Sequence, residues 1–564
     1  MKNYIDGGEA VVQAFRCLNI DYVMASPGSE WGAVWEAFAR QKVANAPGPT
    51  YFSCAHETLA VDLALGYTQI TGRMQAVMLH TGVGLLQGAV GIDAAQRQGI
   101  PMLVVSGESL SYGDQKGFDP GPQWQAALSV VGGPQRLVEP LVKWANQATS
   151  PATLFQQLIS AGEMAQRSPA GPTYLTVPIE TMLQEWTPPD RYRAVPPAAA
   201  PCPAAADIER VAALLVKARN PVILTEASGR DAAGWHALVA LAETLSVPVV
   251  EAGWADYANF PKDHPLHRGF ANAAVTAEAD LLLTLRCRAP WYPPSSRPAK
   301  ATIVAIDETP FRPHMVYHNV QADIYLEGDV VATLRLLAAA VRAAGIDKAA
   351  AAERQSRWSA AHARLQDEYG AAVAAAAGKS PMAPLAACAA LAEALPADAI
   401  VVDETITQRM LLLRHLKNHA PQTYYRVQGG LGQGLGVALG VKLAAPGRPV
   451  VAVIGDGSFM YNPIVQSLAL AREARLPIVV VVMNNGGYAA MAREHRNFYP
   501  DGVATAHDLF LGREITGLDY EGLAGLFGGV GRKVQEPAAL AAAVKDGLAA
   551  AAEGRIAIVN AILA

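Results

Sequence analysis

Gly455-Asp456-Gly457-Ser458 closes one apolar run, PVVAVIGDG (449–457). Asn484-Asn485 closes a second, PIVVVVM, with 26 residues (458 to 483) between Gly457 and the pair. Ile464 to Ala474 has a helical pattern, so both clusters are expected at the carboxyl ends of parallel strands bridged by one helix, where α/β sheets bind ligands. The residue types suit a hard divalent cation shared with a phosphate. Asp456 offers a carboxylate and Asn485 an amide oxygen, the ligands that magnesium takes. Gly455 and Gly457 let backbone N–H groups come close to phosphate oxygens. Ser458, where a helix begins, adds a hydroxyl donor. Either half alone reads as an ordinary turn or loop; the combination points to a diphosphate and magnesium site.

Such a site needs a scaffold, and the sequence predicts three α/β blocks. In the first, DYVMAS and IPMLVVSGE (100–108) read as buried strands and residues 57–70 as a helix, a βα alternation that implies a parallel sheet. Thr187 to Pro203 is rich in breakers and reads as a linker. A second block starts at Pro221, with strands at PVILTEA, SVPVVEA, DLLLTL and ATIVAID, and ends in an Ala-rich helical stretch near 331–378. The third starts near Pro384, with strands at AIVVDE, RPVVAVIGD, LPIVVVVMN and IAIVNAIL. The first and third share a plan of strand, glycine-rich loop and helix. The expectation is an α/β chain of three doubly wound parallel-sheet domains, at 1–186, 204–345 and 375–564.

Composition narrows the partners. The 564 residues are too many for one core, and a net charge of −5 with no long basic run gives no reason to expect nucleic acid or an anionic membrane. Five scattered cysteines without CxxC spacing fit a reducing cytosol. No apolar run reaches membrane-spanning length free of Gly, Pro and charge, so a cytoplasmic protein acting on a small molecule is expected.

The GDG–NN spacing resembles the signature of the thiamine-diphosphate enzyme family, and the likeness extends over essentially the whole chain. It includes VMASPGSEWGAVWEAF, YFSCAHETLAVDLALGY, LHTGVGLLQGAVGIDAA and YYRVQGGLGQGLGVALG. Within the family the sequence is similar to the benzoylformate decarboxylase group, through GGLG…ALG, AVIGDGS and MNNGGY, and acetolactate synthases share the plan. The resemblance implies that Asp456 and Asn485, with the carbonyl of Gly487, ligate the metal. Tyr488 joins the diphosphate side. Glu57 would be the acid that activates the cofactor through its aminopyrimidine; the plain alternative is a first-turn glutamate favoured by the helix dipole. Leu431 would bend the cofactor, and Gly429 would accept from its amino group, the later glycines being packing residues between helix and strand. Thr405 and Thr407, in DETIT, would add diphosphate contacts.

On the substrate side the resemblance assigns Ser29 to a carboxylate and His80 to proton transfer. Their alternatives are a turn-capping hydroxyl and a structural histidine. The family's second active-site histidine has no counterpart in LRCRAPWYPPSS, where Trp291 or Tyr292 either lines the pocket or packs. Met491 replaces a glutamate found in pyruvate decarboxylases. Arg409, Arg493 and His495 are possible carboxylate partners, with surface charge the better reading of each. Some relatives bind FAD or ADP in the central domain, but TEASGRDAAG is a poor fingerprint and neither is expected here. The implied activity is decarboxylation or carboligation of a 2-oxo acid or 2-hydroxy ketone through ylide and enamine intermediates. An acetolactate-synthase-like carboligase is the alternative and a non-catalytic regulatory subunit the remote one. A homodimer at minimum, and a homotetramer by likeness, completes the expectation.

Overall fold

The computed structural model describes residues 4–109, 119, 121–312, 315, 321–515 and 518–564. It contains three six-stranded sheets in which every strand pair is parallel. The first holds β1 (Tyr22–Ser26), β2 (Thr50–Ser53), β3 (Gln75–Leu79), β4 (Met102–Glu108), β5 (Trp144–Gln147) and β6 (Pro172–Pro178). The second holds β7 (Pro221–Thr225), β8 (Val249–Glu251), β9 (His267–Phe270), β10 (Leu281–Leu285), β11 (Thr302–Asp307) and β12 (Ile324–Glu327). The third holds β13 (Ile400–Glu404), β14 (Tyr424–Arg426), β15 (Val450–Gly455), β16 (Val479–Asn484), β17 (Val530–Val534) and β18 (Ala557–Ile562).

The inner strands are nearly continuous Val, Ile and Leu. Val450 to Ile454 and Val479 to Met483 are all buried, as expected when helices cover both faces of a parallel sheet. Helices start and stop on local signals. His56 Nδ1 accepts from Thr58 N at the start of helix Glu57–Thr71, and Gly72 ends it at φ +67°, a left-handed cap that suits glycine.

Strand order places the ligand-binding ends. The first sheet runs β2-β1-β3-β4-β6-β5 and the third β14-β13-β15-β16-β18-β17, the same order. The central sheet runs β12-β11-β10-β7-β8-β9, the order of dinucleotide-binding folds. The direction of winding reverses between β1 and β3, between β13 and β15, and between β7 and β10. Contacts group the chain into two compact units. One is 1–199 with 427–445 and 462–476; the other is 200–426 with 446–461 and 477–564. Among the described residues no helix is long and apolar enough to cross a membrane.

Candidate active site

In the first unit, polar side chains gather at the β1/β3 reversal. After β1 the chain turns through Pro27 and Gly28 into a short 3-10 turn, Ser29–Trp31. This buries Glu30 (1% exposed). Both Glu30 oxygens lie 3.0 Å from Nδ1 of His80, which directly follows β3. Two glycines make the room. A Cβ on Gly28 would lie 1.9 Å from His80 Nδ1, and one on Gly107 would lie 2.1 Å from Glu30 Cγ. The bond to Glu30 raises the His80 pKa, against burial, and the charges of Glu57 and Glu108 act in the same sense. With Nδ1 committed to a carboxylate, Nε2 is the ring position left for proton exchange. Glu108 itself is buried at the end of β4, and burial pushes its carboxyl up.

Glu57 stands half-buried at the first position of its helix. It shares a neighbour with His80: a Cβ on Gly84 would lie 2.9 Å from His80 Cβ and 3.0 Å from Glu57 Oε1. Ser29 is exposed, and Gln123 Nε2 donates to its Oγ at 2.5 Å. The serine oxygen is thus an acceptor toward Gln123, and its own O–H is left to donate elsewhere. Ser29, Glu57 and His80 therefore lie in one region of this unit. Glu30 and Gln123 complete it, and the sequence reading missed both.

The segment with Gly429 and Leu431 belongs to the same unit. Gly429 has φ +102°, and a Cβ there would lie 2.6 Å from the Cβ of Ala94. The following helix, Gly434–Ala444, packs on helix Glu57–Thr71. A Cβ on Gly66 would come within 2.1 Å of Val437 O, and one on Gly440 within 2.1 Å of Leu63 O. Gln433 Nε2 donates to buried Asp62 at 2.9 Å. The later glycines thus pack helix against helix, not helix against strand as the sequence reading had it. Their missing side chains let two backbones touch.

In the second unit, the β13/β15 reversal carries Asp456. Its two oxygens accept from Gly457 N and Gly487 N, each at 2.9 Å. Burial pushes its carboxyl up, and these backbone donors pull it the other way. The amide oxygen of Asn485 faces Asp456 Oδ1 at 3.3 Å and the Gly487 carbonyl at 2.7 Å. Three oxygens facing one another repel unless a cation sits among them or the amide turns over. Turned over, its nitrogen would donate to both, and its oxygen would accept from Gln408 Nε2 at 3.3 Å. The donor set of one carboxylate, one amide and one carbonyl therefore fits a hard cation, which would complete its shell with water or phosphate. Among the described residues there is no cluster of three or more His, Cys, Asp or Glu that could hold a metal.

The phosphate side is built from close approaches. Gly487 has φ +154°, and a Cβ there would lie 2.1 Å from Arg513 O. A Cβ on Gly457 would meet the Tyr488 ring at 2.5 Å. Gly455 is open, its nearest neighbour being Ser458 Oγ at 4.0 Å. Ser458 is buried in helix Asp456–Tyr461. The buried hydroxyl of Tyr520 has no hydrogen-bond partner among the described residues and feels the charge of Asp456. The threonines are less available. Thr405 is buried and its hydroxyl donates to Asp403 at 2.7 Å; that of Thr407 donates to Gln408 at 2.7 Å.

The remaining candidates separate. Trp291 packs in the central core while Tyr292 is exposed. Met491 and Arg493 are exposed and His495 partly so. Arg409 is not a surface charge, contrary to expectation. It is 4% exposed, its guanidinium stacks on Trp254 at 4.2 Å, and it donates to Gly253 O at 2.8 Å.

Three doubly wound parallel sheets, two of them with polar side chains gathered at the reversal point, are the architecture of α/β proteins that bind ligands at strand ends. Family models match the chain as the N-terminal TPP binding domain over residues 5–127, the central domain over 208–337 and the C-terminal TPP binding domain over 406–561 of thiamine pyrophosphate enzymes. The chain belongs to the thiamine pyrophosphate enzyme family. It is 28% identical to a sulfoacetaldehyde acetyltransferase of Rhodobacter capsulatus, over 98% of this chain and 94% of that one. It is also 28% identical to a benzoylformate decarboxylase of Pseudomonas aeruginosa, over 89% and 90%. A crystal structure of benzoylformate decarboxylase from Polynucleobacter necessarius superposes with a TM-score of 0.78 at 20% identity, over 99% and 98% of the two chains, a likeness of fold.

Proposed function

We propose that the chain is a thiamine-diphosphate- and magnesium-dependent 2-oxo acid decarboxylase or carboligase. The observation that carries the reading is the meeting of the Asp456 carboxylate, the Asn485 side-chain amide and the Gly487 carbonyl beside glycine N–H donors. That set would hold a magnesium ion, which would supply positive charge for a diphosphate. When bound, the cofactor supplies an acidic ring carbon that adds to a carbonyl and takes up the electron pair left by carbon dioxide.

The chain's own residues have distinct roles in this reading. Glu57 holds a proton at the aminopyrimidine ring nitrogen. Gly429 orients that ring and Leu431 fills the space beneath it. Ser29 donates to the substrate carboxylate, with Gln123 directing its hydroxyl outward. His80 moves a proton at the substrate carbon through Nε2, and Glu30 orients it. Gly455, Gly457, Ser458 and Tyr488 line the diphosphate, with Thr405 and Thr407 behind them. Val83, Leu86 and Val90 stand exposed on one face of helix Gly82–Gln98, an apolar stripe suited to a second copy of the chain. This supports at least a homodimer.

A panel of 2-oxo acids, including benzoylformate and pyruvate, assayed for carbon dioxide release with both cofactors present, tests the reading. Failure on every member would sink it. With pyruvate alone, an aldehyde product favours the decarboxylase and a 2-hydroxy ketone the carboligase.

A further inference from the structure

The central sheet has the strand order and reversal point at which dinucleotides bind, yet the crevice is filled by the chain itself. In nucleotide-binding versions, backbone N–H groups of the first turn and the next helix N-terminus hold a diphosphate. Here the turn after β7 is committed. Gly229 N donates to Asn259 Oδ1 at 2.9 Å, and a Cβ on Gly229 would lie 1.9 Å from Ala258 O. Asp231 caps the next helix, Ala232–Leu245, by accepting from Gly234 N at 2.6 Å. A carboxylate already stands at that helix end.

The positive groups of the crevice are also matched. Arg288, just past β10, pairs through its side chain with Glu226, just past β7, and with Asp256 at 3.1 Å. Its backbone N donates to the other Glu226 oxygen at 2.8 Å. Arg286 binds both oxygens of Glu308 (Nε at 3.0 and 3.1 Å) and Asp231 at 3.0 Å. Arg230 adds a contact to Glu308 at 3.2 Å. Burial pushes the Glu308 carboxyl up, but Arg286 and Arg230 outweigh it and hold it down at about 2. Asp256 reaches onward to Arg426 of β14 at 3.1 Å, and Arg426 N donates to Asp256 O at 2.8 Å. Four carboxylates, Glu226, Asp231, Asp256 and Glu308, thus face four guanidiniums, Arg230, Arg286, Arg288 and Arg426. The residues do not fit FAD or ADP, because a diphosphate would have to displace carboxylates that also tie the loop to β14.

We infer that this crevice is a latent anion site closed by the chain's own carboxylates, Glu226 in the first turn and Asp231 at the helix end, so that the native chain takes neither FAD nor ADP there. The test uses the holoenzyme with thiamine diphosphate and magnesium saturating, so that ADP has no access to the other phosphate cradle. Wild type should copurify without flavin absorption and give no saturable heat with ADP or FAD up to about 1 mM. Glu226→Gln keeps the shape but removes one of the two carboxylates paired with Arg288, and should bind ADP at least about tenfold more tightly, with affinity falling as salt is raised. Copurifying flavin, or ADP binding to wild type with a Kd below about 100 μM, would overturn the inference. So would a Glu226→Gln protein with a wild-type melting curve and no ADP binding. The wild-type titration decides the native state even if that variant fails to fold.

Discussion

The first and third sheets share one strand order and put polar residues at the same reversal point, but with opposite chemistry. At β1/β3 two side chains face each other, a buried carboxylate and an imidazole, in a space cleared by Gly28 and Gly107. At β13/β15 a buried carboxylate faces backbone N–H groups and oxygens, with glycines on either side. The first arrangement is chemically suited to holding and moving a proton. The second holds fixed charge. Strand order places a site; the residues in the two loops decide what it does. The central sheet adds a third outcome, in which matched ion pairs fill the crevice.

The comparison breaks most visibly at the charge-holding end. Asp456→Ala should weaken thiamine diphosphate binding by at least about 1,000-fold in the presence of magnesium, through loss of a metal ligand and an anchored loop. Calorimetry giving an unchanged affinity would refute the metal role. At the proton-holding end, Glu57→Gln should retain the cofactor but lose at least about 100-fold in turnover, because the amide cannot hold the ring proton. Near-normal kcat would remove Glu57 from the mechanism.

Glu30→Gln sharpens the contrast, with an expected loss of about tenfold in kcat. Glu30 raises the His80 pKa, so the limb of the pH profile that needs protonated His80 should move to lower pH in the variant. A pair that raises a folded-state histidine pKa stabilises the protein fully below the unfolded value of about 6.5, and that contribution fades as pH rises through the folded value. The melting-temperature gap between wild type and variant should accordingly be larger in acid than in mild alkali. A profile that does not move would make the pair structural. The smallest effect is expected from Ser29→Ala, a rise of about three- to tenfold in KM with little change in kcat, one hydrogen bond's worth. A change confined to kcat would contradict a ground-state carboxylate contact.

What the sequence displayed and what it hid follow from local physics. β15, β16 and β11 are apolar runs ending in Gly455, Asn484 and Asp307, β10 is a fully buried run ending in Leu285, and each is visible as a strand. β5, with Trp144 and Asn146, and β17, with Arg532 and Lys533, are edge strands with polar residues and no clear period. The GDG and NN loops stood out because both halves lie at strand ends in a short stretch. Glu30 did not, since its partner lies 50 residues away in sequence and the 3-10 turn that buries it has no periodic pattern. Arg409 looked like surface charge because the residue that covers it, Trp254, comes from another block.

The crossing of helices Glu57–Thr71 and Gly434–Ala444 acts as a ruler. Gly66 and Gly440 let backbone touch backbone, so there is no slack side chain to absorb a shift. A slip of one helical turn would move the chain leading to Gly429 and Leu431 by about 5.4 Å relative to Glu57, more than the length of any hydrogen bond. The alignment of Gly429 and Leu431 with Glu57 is therefore gauged by two absent methyl groups.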